Sequence, residues 1–421
     1  MKRILLISFL TLFLIDANAQ ESVKLYDCLL AAEKVFPGVK APEYYKQIND
    51  LKQKLYRAYW YPQIGLNAQA TYQSDVTAID LSGLPFTVDV PSPTKDQYKA
   101  TIDVNQVIWD GGASKKLQEL STLEMTLNAQ ENSIQLYKYK ENICNLYLNI
   151  AWLQQQERVI ELGKTTLREQ QKKLESGVKN GIILPSQLDY IKAELLELEK
   201  SHLVIFYQQE ALIKSLNLLT DLQLSINDKF DDIYYPVKRG VRGRPEIRSF
   251  NIQESLIDKK AELSKTKRIP KVYAFGQIGY GKPGLNFLND EFSEFYIVGA
   301  ALSWNIWDWN QNKNEREALI MQKQLIRIRE SSFNQITAIE LENQNTNAEM
   351  YEDLIANDIE IIAFREKISK TASKQLEEGI ITSSEYVKVF NEEKAARLSL
   401  EINKVKEQQT VLKREILLGN L

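Results

Sequence analysis

Apolar and polar residues alternate one for one between Gln63 and Gln73. Ile64, Leu66, Ala68, Ala70 and Tyr72 hold the even positions, and Gln63, Gly65, Asn67, Gln69, Thr71 and Gln73 the odd ones. Period two marks a strand with two unlike faces, and about eleven residues suit a tilted strand that crosses a membrane. A second strand is predicted over about Tyr98 to Trp109, with Tyr98, Ala100, Ile102 and Val104 opposite Lys99, Thr101, Asp103 and Asn105. Its alternation slips at Gln106-Val107, which predicts a bulge. Val272 to Gly281 and Phe295 to Trp307 also read as strands, although apolar on both faces. Tyr59, Trp60, Tyr61, Trp109, Trp304, Trp307 and Trp309 gather at strand ends, as in an interfacial belt.

The rest of the pattern is helical. From Ile191, the positions Leu195, Leu198, His202, Ile205, Gln209, Leu212, Leu216 and Leu219 follow at alternating spacings of four and three, a heptad seam. The series Leu146, Ile150, Leu153, Glu157, Ile160, Lys164, Leu167, Gln171, Leu174 keeps that rhythm, as does Leu398, Ile402, Val405, Gln409, Leu412, Ile416. Gly111 to Ser176 holds no proline and, past its opening glycines, only Gly163. A helix of that length extends about 100 Å. His202 lies on the seam, where a packed histidine is the expectation.

The plan is written twice. Trp109-Asp110 recurs as Trp307-Asp308, and Gly181-Ile182-Ile183-Leu184-Pro185-Ser186-Gln187 as Gly379-Ile380-Ile381-Thr382-Ser383-Ser384-Glu385, both 198 residues on. Tyr61-Pro62-Gln63-Ile64 echoes Ile269-Pro270-Lys271-Val272 at 208. Each half runs leading helix, two strands, very long helix, Gly-marked turn, long helix. The domains expected are a first repeat over 20–220, a linker of little regular structure over 221–245 and a second repeat over 246–421. The Trp-Asp aspartates suit caps of the helices that follow.

Residues 1–19 read as a signal peptide. Lys2 and Arg3 precede a largely apolar run from Ile4 to Ile15, and Ala17-Asn18-Ala19 gives the small-x-small cleavage pattern. No segment is long and apolar enough for a membrane helix. The mature balance, 51 basic against 55 acidic residues, gives no basic face for nucleic acid. Cys28 and Cys144 fall in helical patterns and read as small buried hydrophobes rather than a disulfide. No Gly-rich phosphate loop, Cys/His ligand cluster or Ser/His pairing stands out, so neither an enzyme nor a cofactor is expected.

Four strands cannot close a barrel, and an open edge in lipid leaves backbone groups unpaired. Two chains would give eight strands, an interior about filled by side chains. Three would give twelve and leave a water-filled lumen, lined by the polar face. The expectation is an α+β membrane protein with long coiled-coil helices and four transmembrane β-strands per protomer.

The signal peptide, the duplicated plan and the turns Gly181-Ile182-Ile183 and Gly379-Ile380-Ile381-Thr382 together resemble the TolC family of outer-membrane efflux proteins, over essentially all of Glu21 to Leu421. The resemblance implies a homotrimer in the Gram-negative outer membrane, its twelve-stranded barrel continuous with a periplasmic α-helical barrel. It also implies a periplasmic adaptor protein and an inner-membrane transporter as partners. The turns would be the adaptor-docking tip: Gly181, Ile182 and Ile183 with Gly379, Ile380 and Ile381. The periplasmic entrance would carry Gln187, Glu385 and Lys388. Glu385 matches the first of two acidic positions found in some members, whereas Lys388 stands at the other. The bland alternatives are helix C-caps for the glycines and a solvated helix face for Glu385. A secreted coiled-coil structural or adhesive protein is the rival function.

Overall fold

A computed structural model of the chain describes residues 22–77, 92–230 and 243–421. The expected signal peptide, and residues 231–242 of the expected linker, lie outside the described residues. Along the chain run α1 (Leu25–Val35), α2 (Ala41–Ala58), β1 (Gln63–Tyr72), β2 (Asp96–Trp109), α3 (Ala113–Lys179), α4 (Pro185–Thr220), α5 (Pro245–Lys265), β3 (Lys271–Lys282), β4 (Ser293–Ser303), α6 (Gln311–Glu377) and α7 (Ser383–Leu418).

The long helices come in matched lengths. α3 and α6 each have 67 residues, and α4 and α7 each have 36. Both ends of α6 and α7 lie 198 residues after those of α3 and α4. Left-handed backbone recurs at the same spacing. Among the described residues, positive φ occurs at Gly111 and Trp309, Gly112 and Asn310, Gly181 and Gly379, and Asp221 and Gly419. A non-glycine residue pays about 1–2 kcal/mol for that conformation. The backbone therefore keeps its path at Trp309, Asn310 and Asp221 although the glycine is gone.

The first of two compact units holds the described residues up to Val39, with Ile134–Arg244 and Gln335–Leu421; the second holds Lys40–Ser133 and Pro245–Asn334. Each unit draws on both sequence halves. In the first, the seam residues Ile191, Leu195, Leu198, Ile205, Gln209 and Leu216 of α4 are buried. His202 Nε2 lies 3.1 Å from Glu157 Oε1, and Gln209 donates to Glu157 Oε2 at 2.9 Å, so one carboxylate serves both polar seam residues, while the buried Gln209 Oε1 has no partner among the described residues. Cys28 and Cys144 are free and buried, and burial pushes both thiols up to about 12. Residues 221–230 form no helix or strand yet are anchored. Phe230 is 1 % exposed, packs edge-on against Tyr147, and donates its backbone N–H to Gln154 Oε1 at 3.0 Å.

In the second unit the strands form one antiparallel sheet in the order β1-β2-β3-β4. The bulge falls between Val107 and Trp109, just beyond the predicted Gln106-Val107. β4 stops at Ser303, short of the predicted Trp307, because its partner Lys271 begins β3 and the preceding Pro270 has no N–H to extend the ladder. Trp304 instead donates its indole N–H to Arg268 O at 3.0 Å.

The register explains why β3 and β4 read as apolar on both faces. Phe275 pairs with Gly299, and Phe295 with Gly279, on the otherwise polar side. Each ring lies over the glycine opposite, filling the space that a side chain would occupy. A Cβ at Gly279 would stand 2.3 Å from Phe295 Cζ, and one at Gly299 2.7 Å from Phe275 Cζ. Gly279→Ala must displace Phe295, which is 7 % exposed. The expected cost is about 1–3 kcal/mol, read as a fall in the unfolding midpoint, while Ala301→Ser in the same strand pair changes it little.

Candidate functional site

Helix ends leave carbonyls without intrahelical partners, and a left-handed residue lets the chain double back to cap them. Both predicted turns do this. Gly181 at φ 71 donates its N–H to Val178 O at 3.0 Å, and Ile182 N–H reaches Gly177 O at 2.9 Å. Gly379 at φ 73 donates to Leu376 O at 3.1 Å, and Ile380 N–H reaches Gln375 O at 2.8 Å. The two are the same Schellman turn, 198 residues apart, so the capping role of both glycines is real.

The isoleucines divide by exposure. Ile182 is 80 % exposed and Ile380 65 %, whereas Ile183 and Ile381 are partly buried against the core of the four long helices. A Cβ at Gly177 would stand 2.4 Å from Ile183 Cδ1, so Gly177 makes room for that inward isoleucine. Leu184, 68 % exposed, adds to the apolar surface of the first turn.

The helices leaving the turns are started differently. Pro185 opens α4 without a side-chain cap, whereas Thr382 and Glu385 form a capping box at α7. Glu385 N–H donates to Thr382 Oγ1 at 3.2 Å, and Thr382 N–H donates to Glu385 Oε2 at 2.8 Å. That backbone donor, then the Thr382 hydroxyl, holds the Glu385 carboxyl below the usual glutamate range. A depressed pKa contributes stability above the unfolded value that is lost as pH falls through the folded one. Amides in the first turn of α7 are therefore expected to lose hydrogen-exchange protection as pH falls below about 4, and Glu385→Gln to remove most of that dependence. Lys388 is exposed one turn further along α7.

Gln187 has a role that its sequence position did not announce. Its Oε1 accepts the backbone N–H of the fully buried Ser383 at 2.5 Å, so the first hairpin caps the start of the second. Gln170 donates to Ser373 Oγ at 2.6 Å, and Lys173 pairs with Glu377 at 2.7 Å, tying α3 to α6 above the turns. Behind them Tyr386 and Phe390 are buried with ring centroids 6.4 Å apart.

The Trp-Asp pairs cap as expected. Asp110 accepts the N–H groups of Gly112 at 2.8 Å and Ser114 at 2.6 Å; Asp308 accepts that of Asn312 at 3.0 Å. Burial raises the Asp110 pKa, but the bonds from Ser114 and Gly112 outweigh it and leave it lowered.

The sheet has two unlike faces. On one, register brings together Ile64, Leu66, Ile102, Ile278, Tyr296, Val298 and Leu302, every one exposed and up to 78 % so. On the other stand Asn67, Gln69, Thr101, Asp103, Asn105 and Gln277. The outer edges of β1 and β4 carry no further strand among the described residues. A soluble sheet normally buries its apolar face, and this one leaves it bare. Among the described residues no helix is long and apolar enough to cross a membrane, and no group of three or more His, Cys, Asp and Glu side chains could hold a metal ion.

No family model matches the chain, and no curated protein matches it. Solved structures do. The outer membrane protein VceC from Vibrio cholerae aligns with TM-score 0.68 and 15% identity, over 94% of this chain and 96% of its own. CusC, described for its transmembrane channel formation, aligns with TM-score 0.71 and 12% identity, over 95% and 93%. The outer membrane channel CmeC from Campylobacter jejuni aligns with TM-score 0.68 and 13% identity, over 95% and 86%. Across nearly its whole length, the chain has the fold of these outer-membrane channel proteins.

Proposed function

We propose that this chain is one protomer of a homotrimeric export channel of the TolC family in a Gram-negative outer membrane. The observation that carries the reading is the bare apolar face of a sheet whose two edges are open. Lipid accepts that face, and water in a lumen accepts the opposite one. Hydrogen bonding at the edges then requires closure by other copies, and three sheets of four strands give the twelve that leave a lumen. The shared fold with VceC, CusC and CmeC supports the same reading. The long helices would stand in the periplasm, where the turns at Ile182 and Ile380 meet a periplasmic adaptor joined to an inner-membrane transporter. On this reading the channel is a passive conduit, and the inner-membrane transporter drives export.

Reconstitution into planar bilayers tests the reading. The purified mature protein should insert and give discrete single-channel currents. Absence of any current, from protein that also stays soluble after detergent removal, would favour a secreted coiled-coil protein.

A further inference from the structure

The polar face of the sheet holds one carboxylate at its centre, and the donors around it are all uncharged. Asp103 of β2 accepts Asn67 Nδ2 from β1 at 2.5 Å, Thr101 Oγ1 from its own strand at 3.0 Å, and Gln277 Nε2 from β3. Three strands thus fix the position of its oxygens. No cation lies within ion-pair distance of it among the described residues. Lys99, the other charged residue in the middle of this face, is drawn aside, its ammonium 5.1 Å from the centre of the Phe295 ring. Amides and a hydroxyl orient a carboxylate and favour its ionised form without cancelling its charge. An ion pair would have cancelled it.

We infer that Asp103 is a selectivity-determining residue of the channel, a fixed anion that favours cations in the lumen of the barrel. The inference rests on the channel reading above. Closure by copies of one chain repeats Asp103 at a single height, and a ring of carboxylates raises the local cation concentration. Lys99 lies four residues nearer the β1–β2 loop, about 13 Å along the strand; that is within a Debye length at low salt, so its charge partly opposes the ring there.

The test is the zero-current potential of the reconstituted channel in a potassium chloride gradient at low ionic strength, for the native chain, Asp103→Asn, Asp103→Ser and Asp103→Glu. Both neutral variants are expected to lower the potassium-to-chloride permeability ratio about two-fold or more, and Asp103→Glu to keep it near the native value. Lys99→Gln is expected to raise it. A ratio unchanged in either neutral variant that assembles would overturn the role of Asp103 and leave the channel reading intact. A native chain that carries no current removes the channel reading itself. Two neutral side chains of different size keep the test open should one disturb the cradle of Asn67 and Gln277.

Discussion

A chain carrying both Ile182→Glu and Ile380→Glu is expected to assemble and conduct as the native chain does, yet to export nothing. The two side chains are 80 % and 65 % exposed, so the charges meet water in the isolated protein and stability should shift by no more than about 0.5 kcal/mol. Against an apolar partner surface the same charges are desolvated without a counterion. A loss of about 2 kcal/mol at each turn weakens binding about a thousand-fold in all. The measurement is recovery of the adaptor after crosslinking in cells, together with export by the cognate system. Native recovery and native export would remove docking from these turns. Gly181 and Gly379 are poorer sites for the experiment, since any side chain there also strains a left-handed turn.

The second large effect belongs to the apolar face of the sheet. Ile278, 67 % exposed in the middle of β3, is expected to tolerate no charge: Ile278→Lys should prevent membrane insertion. A lysine on the lipid face of a transmembrane strand costs about 2–4 kcal/mol near the midplane, and a trimer incurs that three times. The same change on a soluble protein would be neutral or would raise solubility. Asn105→Lys, exposed on the opposite face, is the control and should insert. The readout is the crosslinked oligomer in the outer-membrane fraction. Its presence at native level for Ile278→Lys would mean that this face does not meet lipid.

Period-two alternation located β1 and β2 to within two residues, because each has one face for water and one apolar face. β3 and β4 were harder. Their aromatics on the otherwise polar face lie over cross-strand glycines, a pairing that depends on register and so is invisible in either strand alone. The end of β4 was misplaced at Trp307 because its aromatic tail reads as strand, while the limit is set by Pro270 on another strand. The turns were legible down to their glycines, since at both turns the left-handed position is held by the residue that takes it without strain. Which isoleucine points outward was not, because Ile182 and Ile183 differ only in the packing that the turn imposes. At the expected entrance, Glu385 is held within a capping box and Gln187 caps the neighbouring hairpin. The Thr-x-x-Glu spacing could have announced the first. The second is a contact across 196 residues that no local pattern encodes.

Closure of the open-edged sheets by association in lipid is read from the native mass of the detergent-extracted mature protein, by light scattering corrected for bound detergent. The expected mass is that of three chains. A folded monomer, stable and soluble without detergent, would contradict it.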